Sequence, residues 1–315
     1  LRQWIAADLQ HIGLDCSAEQ VLILSGSQQG IDLVAKLFID PATKVAVETP
    51  TYLAALQVFR YFGAEFIAYD ALQPDTQTLL RAKPAFLYAI PTFQNPSGRC
   101  LDGAQRAALA ALCDSGGIPL FEDDPYRDLV YDVCERTPVV AQLKQAPWIY
   151  QGSYSKSLAP GLRLGYLVAS PQLVPYLTRL KQAADLHSNR VGQWLVYQQL
   201  SHPARPQQLL ALVERYRQRR DAFARVLNRH FADLAQWQIP PGGLFFWLTL
   251  NRCIDTRLLL PKAIAQGVAF MPGEAFLPHN VEKSGQLRLN FSHASEQQAE
   301  EGLAKLAALL RGVVT

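Results

Sequence analysis

Short apolar runs rich in β-branched residues alternate, through the first two-thirds of the chain, with longer runs whose apolar positions recur at helical spacing. VLILS (21–25), VAVE (45–48), EFIAY (65–69), AFLYAI (85–90), IPLFED (118–123), WIYQGS (148–153) and LGYLVAS (164–170) predict strands. Between them, QQGIDLVAKLFI (28–39) sets Ile31, Val34, Ala35 and Phe38 on one helical face. YLAALQVFRYFG (52–63) predicts a helix closed by Gly63, and LDGAQRAALAALCDSG (101–116) predicts another. The strand runs are apolar on both faces, as parallel strands covered by helices on either side must be. The pattern predicts an α/β fold with a mostly parallel central sheet flanked by helices. The opening LRQWIAADLQHIGL reads as an amphipathic helix rather than a leader, because no basic segment precedes an uninterrupted apolar run.

Beyond about residue 201 the texture changes. A long helical stretch covers 206–230, and GGLFFWLTL (242–250) is an apolar strand entered through glycines. TRLLLPKAIAQG predicts a helix interrupted near Pro261, VAFMPG and QLRLNFS predict short strands, and EQQAEEGLAKLAALLRG closes as an amphipathic helix. The expected division is a large domain over 1–201 and a smaller C-terminal α+β domain over 202–315.

Composition narrows the function classes. The net charge is only +3, and the basic residues are scattered. The densest run, RYRQRR (215–220), reads as the solvated face of a helix; no basic stripe with aromatic or groove-reading elements suggests a nucleic-acid partner. No stretch reaches the ~18 apolar residues of a membrane span. The five cysteines show no CxxC spacing, which fits reduced thiols in a cytoplasmic protein better than a disulfide framework or a zinc site.

Four segments carry candidate chemistry, and each has a plain structural reading. SGSQQG (25–30) joins a strand to a helix: either a serine-capped turn, or a phosphate cup of free N–H groups. PTFQNPSG (91–98) is a turn in any protein, yet at the carboxyl end of a strand Asn95 could meet a ligand. FEDDPYRDL (121–129) reads as a solvated acidic loop, as a charge partner, or, through Glu122, Asp123 and Asp124, as a magnesium site; no phosphate-binding lysine motif supports the last. In GSYSKSLAPGLRLGY (152–166) a lysine is flanked by hydroxyls between apolar strands, where burial or a neighbouring cation would expose its neutral, nucleophilic form.

Taken together and in this order, the four segments resemble the fold-type I pyridoxal-phosphate enzymes, specifically the class I/II aminotransferases. TPTYLAALQVF, YSKSLAPGLRLGY and KQAADLH are similar to the branch that holds 2-aminoadipate and kynurenine aminotransferases. The resemblance implies pyridoxal 5′-phosphate as cofactor, with Lys156 as the lysine that binds it and later shuttles the α-proton. Asp123 matches the carboxylate paired with the pyridinium nitrogen. Tyr126 and Asn95 match the partners of the ring oxygen, and Tyr52 matches the aromatic stacked on the ring. Gly26, Ser27 and Gln28 match the phosphate cup, Ser153 and Ser155 the nearby hydroxyls, and Arg163 the guanidinium on the phosphate. Arg288 matches the arginine that binds the substrate carboxylate, beside Asn95. No metal is implied. The catalytic set is Lys156, Asp123 and Tyr126. Amino-acid and 2-oxo-acid substrates, 2-oxoglutarate among them, and a homodimer follow from the same resemblance.

The sequence departs from the family pattern in three places, one of them Ser157 after the lysine, where Thr is common. Relatives carry a stretch before the Leu1–Arg2 that opens this sequence, with an arm over the substrate pocket and a tyrosine that reaches the neighbouring subunit. Asn189, Arg190 and Gly192 stand where relatives are richer in Ser and Thr. Two other functions use the same body: the aminotransferase-like effector part of a winged-helix transcription regulator, and a fold-type I lyase or decarboxylase. The residues do not name the amino donor.

Overall fold

In the computed structural model, which describes residues 1–312, two sheets organise the chain. The first contains β1 (Val21–Leu24), β2 (Lys44–Glu48), β3 (Glu65–Tyr69), β4 (Phe86–Ala89), β5 (Leu120–Asp124), β6 (Trp148–Ser153) and β7 (Gly165–Ala169), in the order β1-β7-β6-β5-β4-β2-β3. Strands β3, β2, β4, β5 and β6 run parallel; β7 is antiparallel to both β6 and β1. Successive residues on one strand feed opposite cores: Phe86 and Tyr88 pack on one face, Leu87 and Ala89 on the other. This is the period of two expected of a sheet buried on both sides.

Helices α1 (Arg2–His11), α2 (Ser27–Phe38), α3 (Leu53–Tyr61), α4 (Thr76–Ala82), α5 (Gly103–Gly116), α6 (Val174–Asp185) and α7 (Arg190–Leu200) accompany this sheet. Asp102 caps α5 by accepting from the Gln105 N–H, while the Gln105 side chain returns to the Asp102 N–H. Gly117, at φ +59, ends it. The pattern along the chain did not predict α4, and it left α6 and α7 unassigned.

The second sheet follows α8 (Arg205–Phe231) and contains β8 (Ala235–Gln236), β9 (Phe245–Leu250), β10 (Met271–Pro272) and β11 (Gln286–Asn290), with α9 (Thr256–Ala265) and α10 (Glu296–Gly312) packed on it. Three expectations change here. Helix α9 runs through Pro261 without interruption; the proline removes only the ladder bond to the Arg257 carbonyl four residues back. VAFMPG keeps only Met271 and Pro272 as strand, because Gly273 turns the chain into a 3₁₀ segment, Gly273–Phe276. RYRQRR is not wholly solvated: Arg220 is buried, pairing with Asp132 and Asp221 and donating to the Pro240 carbonyl. A buried guanidinium without such acceptors would carry a large desolvation cost.

A smaller apolar cluster, Phe93, Tyr126, Leu129, Leu244 and Phe245, joins residues from the loops at the carboxyl ends of the first sheet's strands to β9 of the second. The candidate site opens above this cluster. Among the described residues, no helix is long and apolar enough to cross a membrane.

Candidate active site

The parallel strands deliver the site's polar groups at their carboxyl ends, as open α/β sheets do. Asp123 is the last but one residue of β5, Ser153 ends β6, and Asn95 lies in the turn after β4. Ten of the residues expected from the sequence line one cavity: Ser27, Gln28, Tyr52, Asn95, Asp123, Tyr126, Ser153, Ser155, Lys156 and Arg163, with Ile90 and Pro125. Gly26 and Arg288 lie just outside that lining. Gly26 precedes Ser27 and faces Arg163, and Arg288 reaches the cavity wall through Asn95.

Asp123 is the most enclosed ionisable group of the cavity, with 3% of its surface exposed. It accepts from the Tyr88 hydroxyl at 2.8 Å and from the Gln151 side-chain amide at 2.9 Å. Burial pushes its carboxyl up to about 6, against the pull of those two hydrogen bonds. Sequence reasoning missed both partners. Gln151 is the register partner of Asp123 on β6, and a glutamine inside an otherwise apolar strand was the available signal. Tyr88 comes from β4 on the other side. The neighbouring Glu122 and Asp124 are buried on the same strand, so the solvated-loop reading of FEDD fails. Glu122 accepts from the Val140 N–H at 2.9 Å and Asp124 from the Tyr150 hydroxyl at 2.7 Å. Among the described residues, no group of three or more His, Cys, Asp or Glu side chains could hold a metal ion.

A recess of the cavity sits at the N-terminus of α2, lined by Ser27, Gln28, Ser155 and Arg163. Gly26, at φ +85, turns the chain from β1 into the helix, leaving the first N–H groups of α2 without intrahelical partners. A Cβ on Gly26 would stand 2.7 Å from Arg163 Nη2, and one on Gly165 would stand 2.8 Å from the Ser27 nitrogen. Arg163 adopts a left-handed φ of 49° after the Pro160–Leu162 turn and donates to the Ser155 hydroxyl at 3.2 Å. The recess is braced from behind, since Asp185 on α6 accepts from Ser25 at 3.0 Å and Gln29 at 2.9 Å. Asn189 caps α7 through the Gly192 N–H at 3.0 Å, which is a structural use of that departure from the family pattern.

Lys156 follows β6 by three residues, and its side chain is open to the cavity. Partial burial lowers its ammonium pKa first, and the positive charges of Arg163 and Arg288 lower it further. Its nitrogen lies 6.0 Å from the centre of the Tyr126 ring. Asn95 and Tyr126 touch at 3.5 Å, and the Asn95 side-chain Oδ1 accepts from Arg288 Nη1 at 2.7 Å. The Arg288 guanidinium is held against two aromatic rings, 3.9 Å from the centre of Phe245 and 5.0 Å from that of Phe276. Its Nε is buried without a partner. These two rings, like Tyr88 and Gln151, escaped the sequence.

The turn that carries Asn95 is fixed from below. Gln94 donates to Glu48 at 3.1 Å and to the Pro50 carbonyl at 2.6 Å, and it accepts from Ser97. The fully buried Arg106 donates to the Pro91 carbonyl and the Thr92 hydroxyl, each at 3.0 Å.

The profile of the family "Aminotransferase class I and II" matches residues 1–306. The chain belongs to that family. This aminotransferase is 36% identical to aromatic-amino-acid aminotransferase 1 of Thermococcus litoralis, over 99% of its own length and 76% of that protein. It is 35% identical to the 2-aminoadipate transaminase of Thermus thermophilus, over 94% of its own length and 76% of that protein. The crystal structure of Pyrococcus horikoshii kynurenine aminotransferase superposes with a TM-score of 0.92 at 32% identity, covering 100% of this chain and 80% of that one. An uncharacterised HTH-type transcriptional regulator of Bacillus subtilis matches at 28% identity, over 99% of this chain and 65% of that protein.

The aminotransferase is a fold-type I enzyme dependent on pyridoxal 5′-phosphate. Its cavity fits that group by chemistry. A guanidinium, hydroxyls and a helix N-terminus suit a dianionic phosphate. A buried carboxylate with only neutral hydrogen-bond donors suits a cationic ring nitrogen, and a lysine with a lowered pKa suits a carbonyl carbon.

Proposed function

We propose that this aminotransferase moves an amino group between an L-amino acid and a 2-oxo acid, with 2-oxoglutarate among its acceptors, in ping-pong order. The observation that carries the reading is the convergence of Lys156, Asp123, Tyr126, Asn95 and Arg163 on one cavity, with Arg288 at its wall. Bound pyridoxal phosphate supplies an electron sink for the pair left when the α C–H bond breaks.

The residues of this chain would do the rest. Arg163, Ser27, Ser155 and the N–H groups after Gly26 hold the phosphate, with Gln28 and Ser153 beside them. Asp123, kept anionic by its cationic partner and by the Tyr88 and Gln151 donors, keeps the ring nitrogen protonated. Tyr126 and Asn95 bond the ring oxygen, and Tyr52 covers a ring face. Lys156 binds the cofactor, yields to the substrate amine, and its Nζ then takes and returns the α-proton. Arg288 uses its free Nε edge for the α-carboxylate shared by every amino and oxo acid in the cycle.

Donors of the 2-aminoadipate and aromatic type follow from the relatives' names, and a leucine adduct in a solved relative adds the branched-chain type; these are our preferred substrates. We further infer a boundary between two domains near residue 201, a cytoplasmic enzyme, and a homodimer. Val191, Trp194, Leu195 and Tyr197 stand exposed on α7 and support the dimer. The regulator reading draws only on relatives of lower identity. A half-reaction screen tests the function: amino acids are added singly to the holoenzyme, following cofactor absorbance and released 2-oxo acid. One or more donors should convert the cofactor to its amine form; conversion by none defeats the proposal.

A further inference from the structure

Two of the five cysteines meet outside the cofactor cavity. Cys100 follows the turn that carries Asn95 and precedes α5, and Cys134 lies in the loop after β5. The two side chains are half-buried against the Phe93–Leu129 cluster, and the Cys100 sulfur reaches the backbone of Glu135, the residue after Cys134. Arg106 donates Nη2 to the Cys100 sulfur at 3.5 Å, and the neutral Cys100 thiol donates to the Glu135 carbonyl at 3.0 Å. Cys100 also lines a surface cavity with Ser97, Arg99 and Gln105, so a small solute reaches it. The other cysteines lack this setting: Cys16 and Cys113 are buried with their thiol pKa values pushed up, and Cys253 faces the Lys283 carbonyl.

We propose that Cys100 and Cys134 form a dithiol site oxidised by peroxide, Cys100 attacking and Cys134 resolving. The reactive partner is set by the surroundings. The Cys134 thiol and then the Arg106 guanidinium, 3.5 Å away, pull the Cys100 thiol pKa down against burial, and Cys100 in turn pushes Cys134 up. With Arg106 beside it, Cys100 rather than Cys134 is the favoured thiolate. That thiolate attacks one oxygen of hydrogen peroxide; the O–O bond breaks, and the departing hydroxide takes a proton and leaves as water. The Cys134 sulfur, giving up its proton, then attacks the Cys100 sulfenic sulfur, and a second water leaves as the S–O bond breaks. Two thiols lose two electrons and two protons, and one peroxide becomes two waters.

The test uses the full chain loaded with pyridoxal phosphate. It is exposed to hydrogen peroxide at neutral pH, quenched with catalase, and read by thiol titration and non-reducing peptide mapping. Two of the five thiols should disappear, a Cys100–Cys134 cross-linked peptide should appear, and dithiothreitol should restore both. Cys134→Ser should instead accumulate a dimedone-reactive sulfenic acid on Cys100, and Cys100→Ser should form no cross-link at Cys134. Retention of all five thiols, a disulfide at another pair, or no sulfenic acid at Cys100 in the Cys134→Ser protein overturns the assignment. None of these readouts depends on turnover, so their failure leaves the transaminase reading untouched.

Discussion

Replacing Arg288 with lysine keeps the positive charge and removes the planar fork, which makes it a sharp probe of substrate binding. In the wild-type chain Nη1 is committed to Asn95 at 2.7 Å, while Nε is buried and unpaired. A carboxylate arriving on the Nε edge would make two parallel charge-assisted bonds. A lysine offers one nitrogen, so one of them is lost, at about 1.5–3 kcal/mol. That corresponds to roughly a ten- to hundredfold rise in KM for the amino acid. Leaving the Asn95 side-chain Oδ1 without its donor and the Phe245 and Phe276 rings without the guanidinium would push the loss toward the upper end. Steady-state kinetics on Arg288→Lys, with cofactor affinity measured in parallel, reads the effect. KM should rise while pyridoxal phosphate stays bound as tightly as before. An unchanged KM, or a loss confined to cofactor binding, refutes the carboxylate role.

Two further perturbations probe the phosphate recess and the buried acids. Gly26→Ala would set a Cβ 2.7 Å from Arg163 Nη2 at a φ of +85; displacing that guanidinium costs one charge-assisted contact to the phosphate, about 1.5 kcal/mol, and should weaken pyridoxal phosphate binding roughly tenfold, read by equilibrium dialysis, and unaltered affinity would count against the recess. Burial raises the carboxyl of Glu122 to about 7, so the folded state favours its protonated form. Its contribution is present in full below the unfolded value near 4.5 and is lost as pH rises through about 7. Glu122→Gln should therefore flatten the fall in stability between those limits in urea titrations of the cofactor-free chain; parallel pH profiles for both proteins would contradict the shift.

Much of the site was legible because each motif sits where an element changes. SGSQQG, PTFQNPSG and GSYSKS each follow a strand run, and the sheet brings those strand ends together without help from distant sequence. What stayed hidden depends on register between strands. Gln151 touches Asp123 only because β5 and β6 pair those two positions, and Tyr88 arrives from β4. Composition misled at Glu122 and Asp124, where acidic residues were read as solvated although the strand carries them inside. Arg220 misled for the same reason: a charge within a basic run is buried when a facing loop supplies Asp132 and a carbonyl. Pro261 broke no helix, because one missing ladder bond is a smaller loss than the apolar face formed by Leu259 and Ala263 would be.

The central claim is that Lys156 carries the cofactor. Holoenzyme is reduced with borohydride, digested and mapped by mass spectrometry, alongside Lys156→Ala prepared the same way. The phosphopyridoxyl group should appear on the peptide that contains Lys156 and nowhere else. The variant should carry none, while its thermal unfolding matches that of the cofactor-free parent. A reduced adduct on another lysine of the parent, or one that persists in Lys156→Ala, would contradict the account.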